Sequence, residues 1–209
     1  MQDIERYLSE KDPRLGKIIS KIGRLEIVHY SDPFLFLVKE ICGQMISSSV
    51  KKIIFERLII LCNGVVSPEE ILSHDVDSYR SIGLSRAKVS YIVNLAETVI
   101  KGSISFDEIS RMRDQEVIDH LTKLKGIGNW TAKMYLLFYL QRLDILPVED
   151  GAFLQVYKWL YNTNDVDPKS VAKRCQKWMP YSSIASRYLY VSLDSGLTKL
   201  NIDEFLYSC

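Results

Sequence analysis

The sequence predicts an all-α fold, on two observations. No stretch sustains the two-residue apolar alternation of a half-buried strand, and helix start and stop signals recur along the whole chain.

Taken in order, Asp12-Pro13 opens a short helix through Ile22, and Ser31-Asp32-Pro33 opens another that ends near Gly43. Ser47 to Ser49 start a third, which runs to about Cys62 before Gly64. Ser67-Pro68-Glu69-Glu70 fits a capping box on a short helix. Asp75 to Ile82 stops at Gly83, and Ser85 caps a longer helix to about Ile100. Asp114 to Leu124 enters a glycine turn, from which a helix runs from about Trp130 to Leu143. Its stretch Met134-Tyr135-Leu136-Leu137-Phe138-Tyr139-Leu140 is apolar nearly all round and implies burial on several sides. Beyond Asp150 a helix reaches about Tyr161, Asp167-Pro168 starts the next, and Pro180 begins the last, through about Leu200. No internal repeat, low-complexity tract or composition break marks a linker.

The turn Leu124-Lys125-Gly126-Ile127-Gly128-Asn129 carries the chemistry. Its two glycines are free to take positive φ in a hairpin too tight for a Cβ. With Asn129 as N-cap, the following helix presents unpaired N–H groups and its positive dipole end beside the hairpin, where a phosphate would sit. A Gly-x-Gly alone is equally a helix C-cap and an ordinary turn. Asp150 can return to this hairpin. A helix of about 14 residues carries the chain ~21 Å away, and the stretch from Asp144 to Asp150 can span ~23 Å when extended, with Pro147 favouring an extended approach.

Composition narrows the function classes. At 209 residues and 47% hydrophobic content the chain is long enough for one large or two small cores, which excludes a disordered chain. The start MQDIERYLSE has no apolar signal region and no apolar run could span a bilayer, so the expected location is intracellular with no membrane partner. Cys42, Cys62, Cys175 and Cys209 are scattered and read as reduced thiols, with no spacing for zinc or an iron–sulfur cluster. His29, His74 and His120 are as dispersed and form no metal set. A net charge of +1 excludes a globally basic surface. Yet Thr122 to Leu143 and Pro168 to Leu193 hold bases and no acid, and Lys51 and Lys52 add to Ile41 to Phe55, whereas acids gather in Ser67 to Asp77 and Asp107 to Asp119. Lysines taken singly are solvated helix faces; the three windows together favour a basic groove.

Leu124-Lys125-Gly126-Ile127-Gly128-Asn129-Trp130-Thr131-Ala132, followed about twenty residues later by Pro147-Val148-Glu149-Asp150, resembles the helix-hairpin-helix DNA glycosylases, specifically the 3-methyladenine DNA glycosylase II (AlkA-type) branch. Three further segments are similar to that branch in the same order: Gly43-Gln44-Met45-Ile46-Ser47, Ile82-Gly83-Leu84-Ser85-Arg86-Ala87-Lys88, and Trp178-Met179-Pro180-Tyr181-Ser182-Ser183-Ile184-Ala185. The resemblance covers most of the chain from about Asp32 to Ser192. It implies a two-lobed helical fold: a central lobe over 33–143, and a second lobe from 1–32 with 144–209, with a DNA cleft between them. It also implies a monomer acting on double-stranded DNA with damaged bases, no cofactor and no iron–sulfur cluster, and a monovalent cation at the hairpin carbonyls of Leu124 and Ile127.

Breaking an N-glycosidic bond builds positive charge on the sugar, so a fixed carboxylate near the anomeric carbon stabilises the transition state and can orient water. Asp150 matches the family's catalytic Asp, and an N-cap role is compatible with that one because capping fixes the carboxylate. Glu149 is a surface or supporting acid. Trp130 stands where bifunctional relatives carry a Schiff-base lysine, which removes the lyase nucleophile. Its indole either stacks on a flipped cationic purine or packs in a core. Tyr181 matches the second aromatic of the base pocket, and Met134 and Gly151 match positions lining it; Gly151 either widens the pocket or eases a turn. Met45 matches the apolar wedge, with core packing the alternative for it and for Met134. Gln44, Met45, Lys125, Gly126, Ile127, Gly128, Thr131 and Lys133 are the implied DNA-binding residues. Ser182 departs from the pattern, standing where the family usually has arginine, a role that Arg187 would have to supply. The expected activity is monofunctional excision of alkylated purines, with hypoxanthine or ethenoadenine as further substrates. The alternatives are a glycosylase for oxidised or mismatched bases and a non-catalytic helix-hairpin-helix DNA-binding module.

Overall fold

A computed structural model describes residues 1–207, so Cys209 lies outside the described residues. The helices are α1 (Gln2–Lys11), α2 (Pro13–Ile22), α3 (Pro33–Gly43), α4 (Ser48–Leu61), α5 (Pro68–Ser73), α6 (Val76–Ser81), α7 (Arg86–Ile100), α8 (Phe106–Arg111), α9 (Asp114–Leu121), α10 (Asn129–Met134), α11 (Gly151–Tyr161), α12 (Pro168–Cys175), α13 (Ser182–Asp194) and α14 (Ile202–Tyr207). The fold is all-α, with no strand among the described residues, and none of its helices is long and apolar enough to cross a membrane.

Most starts follow the capping signals. Asp12, Asp32, Ser47, Ser67, Asp75 and Ser85 each accept a backbone N–H from the first turn of the helix they precede. Each such cap contributes on the order of 1 kcal/mol. Besides α14, two helices lie outside the expected series. One is α1, whose start at Met1 has no side-chain cap bond; the other is α8, whose cap Ser105 accepts from Glu108 N at 3.3 Å.

Three expected boundaries are corrected. Asn129 is not the N-cap: Gly128 holds that position with extended backbone, and Asn129 is already helical. The helix after the hairpin does not reach Leu143. It widens into a π-helical turn over Tyr135–Tyr139, closed by Leu140 N donating to Tyr135 O at 2.9 Å, and Gln141 at φ 55 turns the chain away. The last helix does not run to Leu200; α13 stops at Asp194 ahead of Gly196 at φ 75, and α14 is separate.

The helices form two compact units, a central one over His29–Leu140 and a terminal one joining Met1–Val28 to the chain from Gln141 on. In the central unit α7 packs against α3, α5 and α6, and α10 packs against α3 and α9, over buried Leu37, Ile41, Leu58, Ile92, Leu95 and Leu136. That packing holds the hairpin between α9 and α10. In the terminal unit α13 packs against α2 and α11, around Leu15, Ile18, Phe153, Tyr157, Trp178 and Tyr188.

The terminal core has a polar centre at Asp12, which is 1% exposed. It caps α2 through Leu15 N at 3.3 Å, accepts from Trp178 Nε1 at 2.8 Å and from Tyr161 Oη, and pairs with Lys177 Nζ at 3.0 Å. Burial opposes the charge on Asp12, but the hydrogen bonds from Tyr161, Trp178 and Lys177 outweigh it and hold the carboxyl below its ordinary value. Burial also pushes the Cys175 thiol up to about 12, and Cys42 likewise to about 12; these two and Cys62 are free and buried. Thiols so shifted are inert packing groups.

Candidate active site and nucleic-acid interface

The hairpin starts where α9 ends, with Leu124 N donating to Leu121 O at 3.0 Å and Ile127 N to Leu124 O at 3.1 Å. Only one of its glycines is left-handed: Gly126 has φ 84, while Gly128 has ordinary extended backbone. The ring of Tyr91, from α7, fills the space beside Gly126, and nothing lies within 4 Å of a side chain built on Gly128. Ile127 is buried, so its side chain anchors the hairpin and leaves only its backbone to a ligand. Lys125 is exposed, and its Nζ donates to Ser90 Oγ at 2.9 Å.

Trp130 is half-buried on the first turn of α10, with Lys133 half-buried one turn on and Met134 buried at 3% exposure. Thr131 is also buried, and its hydroxyl accepts from Gln44 Nε2 at 3.2 Å. The side chains of Thr131 and Gln44 are thus bonded to each other within the protein. Met45 is fully exposed at φ 58, which removes core packing as its role. A non-glycine residue in that region costs on the order of 1 kcal/mol or more and persists where its surroundings fix it.

The terminal unit carries the other residues. Asp150 is buried, and as N-cap of α11 its Oδ1 accepts from Phe153 N at 2.7 Å. Gly151, the first residue of α11, is exposed, with open space around it. The segment leading to Asp150 is bound onto the start of α13. Ser182 Oγ donates to Asp144 Oδ1 at 2.5 Å, Ser183 N donates to Leu143 O at 3.0 Å, and Ile145 N donates to Ser183 Oγ at 2.9 Å. Asp144 also accepts from Ser182 N at 3.3 Å, so a carboxylate from a distant segment caps α13. Tyr181 is half-buried at the head of α13, its ring edge-on to Tyr7 with centroids 5.4 Å apart. Tyr7 Oη in turn donates to Met179 O at 2.6 Å. Tyr7, Tyr91 and Asp144 were not among the expected residues, because each acts through a contact distant in sequence.

The family model for the HhH-GPD superfamily base excision DNA repair protein matches residues 38–181, a span that contains the glycine hairpin, Trp130 and the capped Asp150. The chain belongs to the HhH-GPD superfamily. Within it the chain falls in the 3-methyladenine glycosylase branch. It is 30% identical over 187 residues to DNA-3-methyladenine glycosylase 1 of Schizosaccharomyces pombe, covering 88% of this chain and 82% of that one. The fold is similar to S. pombe 3-methyladenine DNA glycosylase Mag1 in complex with abasic DNA, with TM-score 0.85 and 28% identity over 92% of this chain and 97% of that one. It is also similar to a DNA-3-methyladenine glycosidase from Bacillus halodurans, with TM-score 0.78 and 31% identity over 97% and 94% of the two chains. In this HhH-GPD chain the matched region takes in the hairpin, Asp150 and Tyr181, and ends one residue before Ser182.

Proposed function

We propose that the protein is a monofunctional DNA glycosylase that releases alkylated purines of the 3-methyladenine type and leaves an intact abasic site. The observation that carries this is the pairing of a buried, capped Asp150 with tryptophan rather than lysine at the start of α10. As the bond from the anomeric carbon to the base breaks, the base leaves with the bonding electrons and the sugar gains positive charge, which the Asp150 carboxylate stabilises. Water then adds to the anomeric carbon and loses a proton. Trp130 in the central unit and Tyr181 in the terminal unit each supply an aromatic face for a flipped cationic purine, Met134 and Gly151 are the further base-binding residues of their respective units, and Met45 wedges into the stack the base leaves. Backbone N–H groups of Gly126 and Gly128 hold a phosphate, with Lys125 and Lys133 adding charge. The carbonyls of Leu124 and Ile127 are the hairpin oxygens that would hold a monovalent cation, Leu124 O also accepting from Ile127 N. The protein acts as a monomer on damaged duplex DNA.

Incubation with methylated duplex DNA, with the released bases identified, tests this proposal. Free methylated purines are expected, with strand scission only after alkali and no borohydride-trapped adduct. A trapped adduct would remove the monofunctional assignment, and Lys133 would be the first amine to examine. Failure to release any methylated base would remove the substrate class.

A further inference from the structure

Gln44 follows the last residue of α3, and its amide nitrogen donates both to Gly126 O at 2.8 Å and to Thr131 Oγ1 at 3.2 Å. Because a backbone carbonyl only accepts, the group that faces Gly126 is the NH2 and not the amide oxygen. One side chain thus ties the segment between α3 and α4 to both the hairpin and the helix it opens. That segment is held at two further points. Lys88 Nζ donates to Cys42 O at 2.8 Å. Lys51 pairs with the buried Glu40 at 2.7 Å, its methylenes packed so closely over Gly43 that a Cβ there would meet Cδ at 2.4 Å. The residue next to Gln44 is Met45, left-handed and fully exposed. A methionine in that backbone region needs its neighbours to fix it, and these ties are what fix it.

We propose that Gln44 is a positioning residue for Met45: it fastens the Met45 turn to the hairpin, so that wedge and phosphate clamp are in register before DNA arrives. This rests on the role of Met45 as the wedge given above. Gln44 then acts through Met45 and not by touching DNA. A wedge already set in its turn adds no ordering cost on binding.

The test uses the full chain and duplex DNA carrying 2-aminopurine beside a tetrahydrofuran abasic-site analogue, so that fluorescence reports wedge insertion independently of base release. Gln44→Ala and Met45→Ala should each lower the insertion rate roughly tenfold, and the double variant should fall no further than Met45→Ala alone. Losses that multiply, or a Gln44→Ala protein equal to wild type, would overturn the proposal, since Gln44 would then act elsewhere. Thr131→Val removes one of the two amide acceptors at constant volume, and decides the matter if Gln44→Ala does not fold. It should slow insertion in the wild-type background and change nothing beside Met45→Ala; an equal loss in both backgrounds contradicts positioning. If Met45→Ala leaves the signal unchanged, the wedge role falls and this proposal with it. A normal insertion signal without release of methylated bases sinks only the proposed activity.

Discussion

The ring of Tyr91 occupies the space a side chain on Gly126 would need: a Cβ built on Gly126 meets Tyr91 Cγ at 2.1 Å. Gly128, two residues on, has open space and ordinary backbone. The two hairpin glycines are therefore separable by experiment. Gly126→Ala should destabilise the fold by roughly 1 to 3 kcal/mol, because both φ and Tyr91 oppose it. Gly128→Ala should leave the melting temperature within about a degree or two yet weaken binding to all DNA sequences alike, as a phosphate contact does. Thermal melts and salt-titrated DNA binding of the two variants distinguish these outcomes.

Asp150 is at once a cap and the proposed catalytic carboxylate, and asparagine divides those roles. Asn caps helices about as well as Asp, so Asp150→Asn should keep stability and DNA binding while base release falls by orders of magnitude. Asp150→Ala should lose release and also about 1 kcal/mol of stability. Retained release in the Asn variant would place the chemistry on another group.

Trp130→Ala should cost about 1 to 3 kcal/mol at the stacking step and fall harder on methylated than on neutral bases. Single-turnover release from methylated and hypoxanthine-containing duplexes measures the difference. Equal losses on the two would mean the indole acts by shape alone.

Ser182→Ala removes a hydroxyl donor from the Asp144 carboxylate, a bond to a charged group worth about 1.5 to 3 kcal/mol. Denaturant melts should show that loss, and a Ser182→Ala, Asp144→Asn double variant should be less unstable than the two losses summed. Base release should slow too, since the segment leading to Asp150 is held by this contact.

Asp12→Asn should destabilise the protein near neutral pH by about 3 kcal/mol or more, because Lys177 and two other donors lose a buried anion. The folded-state pKa of Asp12 is depressed, so its stabilisation is fully present above the ordinary carboxylate range and is lost as pH falls through the folded value. The stability gap between wild type and Asp12→Asn should accordingly close in acid. A gap that stays constant from neutral pH down to strong acid would show that the charge is not what Asp12 contributes.

Which parts of this were legible in the sequence follows from the range of the interactions. Caps act over three residues, so Asp12, Asp32, Ser85 and Asp150 announced their helices, and Ser105 could have done so through Glu108. Nothing local marks α1, which starts without a capping side chain. The π turn at Tyr135–Tyr139 is invisible to a 3.6-residue pattern, because a helix apolar on all sides looks alike in either winding. Asp150, Trp130 and Tyr181 stand out in the sequence as candidate site residues by type alone. Their supports do not: Tyr91 beside Gly126, Asp144 on Ser182 and Gln44 on Gly126 are contacts across tens of residues that no spacing rule encodes.

The terminal unit is built from two stretches separated by the central unit, with Tyr7 bonded to Met179 and Arg14 to Leu160. Translation therefore delivers α1 and α2 before α11 and α13, and leaves Leu8, Leu15 and Ile18 without those partners until the later helices have emerged. The central unit is contiguous and can close while its predecessor in the chain is still open. The central unit can thus be finished before the terminal one. A chain cut short after Leu140 would carry a complete hairpin together with two amphipathic helices whose apolar faces lack α11 and α13, and aggregation is the expected fate of such a fragment.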